Sequence, residues 1–469
     1  MKQLINLYTL LILLAFLSAC KISKDIPLPQ SAIPENFRGA EITDSASIAS
    51  VSIKEFIAEE EVLKLIDKAL IRNYDMQTAL KNIESAELLF KQAKLGNTPA
   101  LILQLTASSN RPSSNSLSGL SGSEFLGTNH IEDFNTNLGL NWEADIWGKI
   151  SRQKQAALAA YLQSTEAKKA IQTRLIANIA QGYYRLLMMD SQLRTAQKNL
   201  TLNDSTLRII KFQFDAGQAN SLAIQQAEAQ RFVTAQLIPQ LEQNIEIQEN
   251  ALRLLTGENP SAIKRLATLE KTKIAVHLSA GVPSEMVGRR PDVKAFEYAL
   301  SAANAKVGVS KASLYPSLSI TASGGINSFK SSNWFNIPAS LFGVVAGGIT
   351  QPVFQRRQLK TAYELAKIDR EKVVIGFRQT VLTAVAEVAD ELVKIEKLKS
   401  QYSIANSRVN VLRQAVTNAV LLFKSGMANY LEVITAQSNF LQSELELANV
   451  KAAQLNATVE LYRSVGGGY

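Results

Sequence analysis

The 469-residue sequence contains one cysteine, Cys20, and two histidines, His130 and His277. A single thiol allows no intramolecular disulfide, so stability has to come from packing. The two histidines have no acidic neighbours at ligand or catalytic spacing and read as loop residues. No phosphate-binding glycine loop, nucleophile elbow or zinc-protease motif occurs either. Together these absences argue against an enzyme, and neither a cofactor nor a metal is expected. Lysine and arginine number 50 against 41 acidic residues, a net charge of +9. The cations are scattered rather than interleaved with aromatics, which argues against nucleic-acid binding.

The apolar run Leu10 to Phe16 follows Lys2 and is too short to span a bilayer, so residues 1–19 read as a signal peptide. Leu17-Ser18-Ala19-Cys20 resembles a bacterial lipobox, which implies that Cys20 is lipidated and becomes the mature N-terminus. In the lipoproteins it resembles, an aspartate after the cysteine favours inner-membrane retention; Lys21 is compatible with the outer membrane. Pro27, Pro29 and Pro34 make residues 20–52 an extended tether.

The richest signal is a duplication. Leu186, Met189, Leu193, Ala196, Leu200, Asn203, Leu207, Ile210 and Phe214 step by three and four, the seam of a coiled coil with one polar interruption at Asn203. Shifted by 209 residues, the series returns as Ile395, Leu398, Tyr402, Ala405, Val409, Leu412, Val416, Ala419 and Phe423. Each seam ends in a glycine turn, Phe214 to Leu222 and Phe423 to Leu431. Phe, Gly, Ala, Asn and Leu recur at matching places, which indicates one helical hairpin copied whole. No proline interrupts Gly148–Ile238 or the stretch from Val353 onward. A first arm of about 65 residues, about 95 Å at 1.5 Å per residue, is therefore expected in each copy, and an elongated object with it.

Two structural repeats follow, 53–282 and 283–469. One helix is expected from Ile57 to Leu95, and its counterpart from Gly288-Arg289-Arg290-Pro291-Asp292 to Ser313. Pro291 suits a first helical position and Asp292 a helix N-terminus. After Pro99 and Pro316 the period changes to two. Leu101, Leu103, Leu105 and Ala107 share one face. Leu318, Ile320 and Ala322 do so in the second copy, with Ser317, Ser319, Thr321 and Ser323 opposite. Phe134, Thr136, Leu138, Leu140 and Trp142 alternate with Asn135, Asn137, Gly139 and Asn141, and a poorly alternating partner spans Phe342–Thr350. Apolar-out, uncharged-polar-in strands with aromatics near their ends match transmembrane β-strands. Two per repeat give four per chain, which cannot close a barrel in lipid. Three chains would give twelve strands around a water-filled lumen.

The lipobox, Gly288-Arg289-Arg290-Pro291-Asp292, Leu314-Tyr315-Pro316, Gln351-Pro352-Val353-Phe354 and the two Phe-x-x-Gly turns together resemble the outer-membrane efflux protein (TolC-like) family. The best fit is its lipid-anchored branch serving resistance-nodulation-division (RND) pumps. The resemblance implies an α+β membrane protein: a homotrimer whose twelve-stranded outer-membrane β-barrel continues into a long periplasmic α-helical coiled-coil barrel. It also implies a periplasmic adaptor, an inner-membrane pump and a Gram-negative outer membrane as its setting. The adaptor-contacting tips would be Gly217, Ala219, Asn220, Gly426, Ala428 and Asn429. Tyr430-Leu431-Glu432-Val433 resembles the family's Tyr-Leu-Asp-Val, which makes Glu432 the constriction candidate, while Ala223 stands at the equivalent place in the first copy. The expected role is a passive duct for drugs or other small molecules. A duct for type I protein secretion and a non-channel, lipid-anchored periplasmic coiled coil remain as alternatives.

Overall fold

The computed structural model describes residues 33–34, 37–38, 47–118, 127, 129–272 and 280–469. Cys20, the signal peptide, most of the tether and His277 lie outside the described residues. The first repeat runs α1 (Ile53–Phe56), α2 (Glu60–Arg72), α3 (Tyr74–Lys94), β1 (Ala100–Asn110), β2 (Ile131–Ala144), α4 (Lys149–Asp215) and α5 (Ser221–Leu255). The second runs α6 (Pro283–Arg289), α7 (Pro291–Ala312), β3 (Ser317–Ser328), β4 (Leu341–Thr350), α8 (Gln358–Lys424) and α9 (Tyr430–Ser464). Both first hairpin arms are 67 residues long and both return arms 35. Pro239 is carried inside α5. No described helix is long and apolar enough to cross a membrane.

One compact unit contains Ser85–Leu162 and Tyr298–Ile375. Its centre is a four-stranded antiparallel sheet in the order β1-β2-β3-β4. The register keeps the alternation in phase across the sheet. Leu103 pairs with Leu138, Leu138 with Gly324, and Gly324 with Gly343 on one face. On the other face Gln104 pairs with Asn137 and Asn141 with Thr321. Antiparallel partners share a face, so one side is apolar and the other carries Asn, Gln, Ser and Thr. The apolar side is left open: Leu101, Leu103, Leu105, Val345 and Ile349 are all more than 60% exposed. β1 and β4 pair along one side only, so both edges keep a row of unpaired backbone groups.

The other unit contains Gln30–Glu84, Gln163–Glu297 and Gly376–Tyr469. Its main core packs Ile66 and Ala69 of α2, Ile179, Tyr183 and Leu187 of α4, Val381 and Val388 of α8, and Leu455 and Leu461 of α9. Phe37 and Ile48, within the stretch read as a tether, are buried in this core as well.

Two helix expectations need correction. The stretch Ile57–Leu95 is not one helix: it breaks at Asn73, between α2 and α3. Its counterpart breaks at Arg290, between α6 and α7, leaving Gly288 and Arg289 in the last turn of the shorter helix. Both break residues are extended, with ψ of 132° and 123°. Pro291 accounts for the second break, since a residue before proline is pushed out of the helical region. At the first break Asn73 does the work with its side chain, accepting hydrogen bonds from the backbone N–H groups of Asp75 (2.9 Å) and Met76 (3.1 Å) to start α3.

Candidate functional site at the hairpin tips

The two tips share one plan. α4 ends with the Gln218 N–H donating to Gln213 O (2.7 Å) around Gly217 at φ 74°. α8 ends with the Met427 N–H donating to Leu422 O (2.9 Å) around Gly426 at φ 76°. This is a left-handed helix stop that a residue with a Cβ would strain. Asn220 and Asn429 then open the return arms as N-caps. Asn220 Oδ1 accepts from Ala223 N (3.0 Å), and Asn429 Oδ1 from Leu431 N (2.9 Å) and Glu432 N (3.2 Å). Ala219 and Ala428 are partly buried against one shared cluster of Ile210, Ala223, Ala227, Phe423 and Val433. The tips of the two hairpins therefore pack on each other.

The copies differ where the chemistry would lie. Phe423 is buried, whereas its counterpart Phe214 is 43% exposed. Ala223 is fully buried, whereas Glu432, one repeat later, is exposed in the first turn of α9. A carboxylate there faces solvent at the positive end of the helix dipole, where it is favoured.

Gly288, Arg289, Arg290, Pro291 and Asp292 lie at the α6–α7 break and form an internal clasp. Arg290 is 3% exposed. Its guanidinium donates to Asp292 Oδ1 (3.0 Å) and Oδ2 (2.6 Å), to Glu387 Oε2 (2.8 Å) on α8, and to the Ser464 carbonyl (3.0 Å) at the end of α9. Burial alone would raise the Asp292 carboxyl, but the hydrogen bonds and charge of Arg290 outweigh it and hold that carboxyl below its ordinary value. Asn73 does the same task in the first copy: its Nδ2 donates to the Leu255 carbonyl (3.0 Å), and 255 is 209 residues before 464. Each repeat thus fastens its first helix break to the last carbonyls of its own hairpin. Arg289 remains half exposed at 41%, 3.8 Å from Glu285.

A polar seam along α4, of which the sequence reading held only Asn203, bonds both within the first hairpin and across to the second. Gln192, Ala196, Asn199, Asn203, Thr206 and Ile210 are the buried positions of this part of α4, and four of the six are polar. The seam read from apolar residues is thus displaced by one residue at several steps. Asn203 Nδ2 donates to Thr234 Oγ1 (2.7 Å), Gln437 Nε2 to Thr206 Oγ1 (2.8 Å), and Gln192 Nε2 to Asn449 Oδ1 (2.9 Å). The available signal was their own three-and-four spacing, which a search for apolar residues passes over. No cluster of metal-ligating side chains occurs among the described residues.

Comparison with known proteins follows the same outline. The family model described as "Outer membrane efflux protein" matches residues 65–258 and 282–467. The cation efflux system protein CusC of Escherichia coli K12 is 26% identical over 456 residues, covering 96% of this chain and 97% of the relative. The solvent efflux pump outer membrane protein SrpC of Pseudomonas putida is 28% identical, covering 91% and 90%. The open state of the MtrE outer membrane channel of Neisseria gonorrhoeae superposes with a TM-score of 0.85 at 25% identity, over 96% of this chain and 98% of that one.

Proposed function

Because the chain belongs to the outer membrane efflux protein family, we infer that it is the outer-membrane exit duct of a tripartite efflux system, assembled from three copies. One observation carries this reading. A four-stranded sheet with an open apolar face, a polar face and two unpaired edges satisfies its backbone in lipid only by pairing with other copies. Three copies close twelve strands with the apolar face to lipid and the Asn, Ser and Thr face to a watery lumen. Mass measurement of the detergent-solubilised protein checks the trimer, and conductance in a planar bilayer checks the pore. A monomer, or a trimer that does not conduct, refutes it.

The described residues contain no energy-coupling motif, so transport is passive: a periplasmic adaptor and an inner-membrane RND-type pump load the duct. CusC is named for cation efflux and SrpC for solvent efflux, and this chain is about equally similar to both. Cargo choice therefore belongs to the pump, with the duct supplying a wide polar lumen. Cys20 carries the lipid anchor. The tips, through Gly217, Ala219, Asn220, Gly426, Ala428 and Asn429, receive the adaptor. Three Glu432 carboxylates, one from each copy, line the constriction and favour cations. E432Q is expected to lower the cation preference of the single channel, and unchanged selectivity removes Glu432 from that role.

A further inference from the structure

We propose that the turn joining β4 to α8, Val353–Arg357, is a seat for anionic phospholipid: Val353 and Phe354 enter the acyl region, and Arg356 and Arg357 hold headgroup phosphates. The proposal rests on the outer-membrane reading above. The lipid-facing side of β4 presents Leu341, Val345 and Ile349, exposed by 55%, 80% and 75%. That apolar surface does not stop with the strand. Val353 is 94% exposed and Phe354 85%, the two most exposed large apolar side chains in the described structure. Immediately after them Arg356, Arg357 and Lys360 are all exposed. Neither arginine makes a side-chain hydrogen bond or ion pair among the described residues. An apolar strand face that runs into an aromatic and then into free cations is the profile of a bilayer interface, where the cations meet lipid phosphate.

The duplicated counterpart shows that the fold itself does not require this arrangement. The equivalent turn of the first copy, between β2 and α4, closes on itself. The Asp145 carboxylate accepts from the backbone N–H groups of Ile150 and Ser151, both at 2.8 Å. The Trp147 indole donates to the Pro316 carbonyl (2.6 Å), and Gly148 takes the left-handed position at φ 75°. One repeat later, Phe354 replaces Asp145, Arg356 replaces Trp147 and Arg357 replaces Gly148. Arg356 and Arg357 sit at φ 47° and 67°, a region that costs a glycine nothing and strains any residue with a Cβ. The second turn has given up a glycine, a cap and a tucked indole, and gained two outward arginines and an outward phenylalanine. Backbone strain kept at a site with no internal partner is accounted for by an external one.

The test compares the full-length trimer in bilayer nanodiscs of phosphatidylcholine and of phosphatidylglycerol. Phosphatidylglycerol is expected to raise the melting temperature of the native trimer, and R356Q/R357Q to lose most of that rise. R356G/R357G relieves the left-handed strain. It is expected to melt no lower than the native protein in phosphatidylcholine while also losing the response to phosphatidylglycerol. An equal rise in both variants, or none in the native protein, overturns the proposal. In the same discs F354W is expected to show added fluorescence that brominated acyl chains quench. Added fluorescence that stays unquenched places residue 354 beneath a neighbouring copy and likewise overturns it. Failure of the duct reading would register separately, as loss of the trimer or of conductance in the native protein.

Discussion

At the residue scale, the most consequential side chain is one whose family motif suggested function and whose surroundings show structure. Arg290 is buried, charged and held by two carboxylates and a carbonyl. Removing it takes from Asp292 its partner and leaves Glu387 to Arg463 alone, so a charged hydrogen-bond network is broken from one side. R290A is therefore expected to lower the denaturation midpoint of the trimer sharply. R290K keeps the charge but loses the two-pronged contact to Asp292 and should recover only part of the loss. A second prediction concerns acid. Hydrogen bonds from Lys68 and then Arg253 hold the Glu258 carboxyl down at about 2. A folded value below the unfolded one, about 4.3, means stability that is present above that value and lost as pH falls toward 2. E258Q should flatten the fall in stability across that window, read from melting temperature against pH. None of this was visible in the sequence. Arg290 could be singled out as part of a motif, but its three partners lie on three different elements, and Glu258 pairs with Lys68 across 190 residues.

At the scale of elements, the hairpins and strands were legible because their signals are local and repeated. A helix period sustained over 67 residues leaves few competing readings, and alternation switched on by Pro99 and Pro316 sets strand starts to within a residue. The breaks at Asn73 and Arg290 were not read. A single asparagine inside an amphipathic stretch looks like an ordinary surface position; Pro291 does open α7, as its fixed φ implies, and what has no sequence signal is the short helix before it. The polar seam failed for a related reason: Thr206, Asn199 and Gln192 count as outward residues when burial is judged by apolarity alone. Their hydrogen bonds make the seam testable. Q437A strands Thr206, and a buried donor or acceptor left unpaired costs about 1–3 kcal/mol. Loosening of the hairpins is expected as faster amide exchange near the tips with the sheet unaffected. On the strands, V345R places a cation on the lipid face, where the cost is about 2–4 kcal/mol near the bilayer midplane. The arginine at Val344, on the opposite face by register, should be tolerated in folding and change conductance instead.

At the scale of the whole molecule, duplication explains both the regularity and its exceptions. Two copies of one helix–strand–strand–hairpin plan, offset by 209 residues over the hairpins, were read from sequence as a unit. The copies then diverged at solvent-facing and lipid-facing positions while keeping the geometry that positions them. Gly217 and Gly426 are alike, whereas Ala223 and Glu432, and Gly148 and Arg357, are not. A shared scaffold is set by packing within each copy, and so it repeats. Glu432, Phe354 and Arg357, which distinguish the second copy, are exposed, and one chain's sequence carries no pattern for what meets them. Subunits carrying two different tags, produced together, should appear in mixed trimers. Trimers assembled separately and then fused into one membrane should stay unmixed, as shown by tag pull-down.

That last expectation reaches beyond architecture to biogenesis. The free edges of β1 and β4 mean that a lone chain has no resting place in the bilayer, since an open sheet exposes a ladder of backbone groups to hydrocarbon. Insertion and assembly therefore collapse into one event. Its rate should climb steeply with the supply of chains, and a cell making too few would accumulate unassembled copies rather than narrower pores. The same feature makes the finished ring effectively permanent, so turnover has to proceed by destroying the assembly whole.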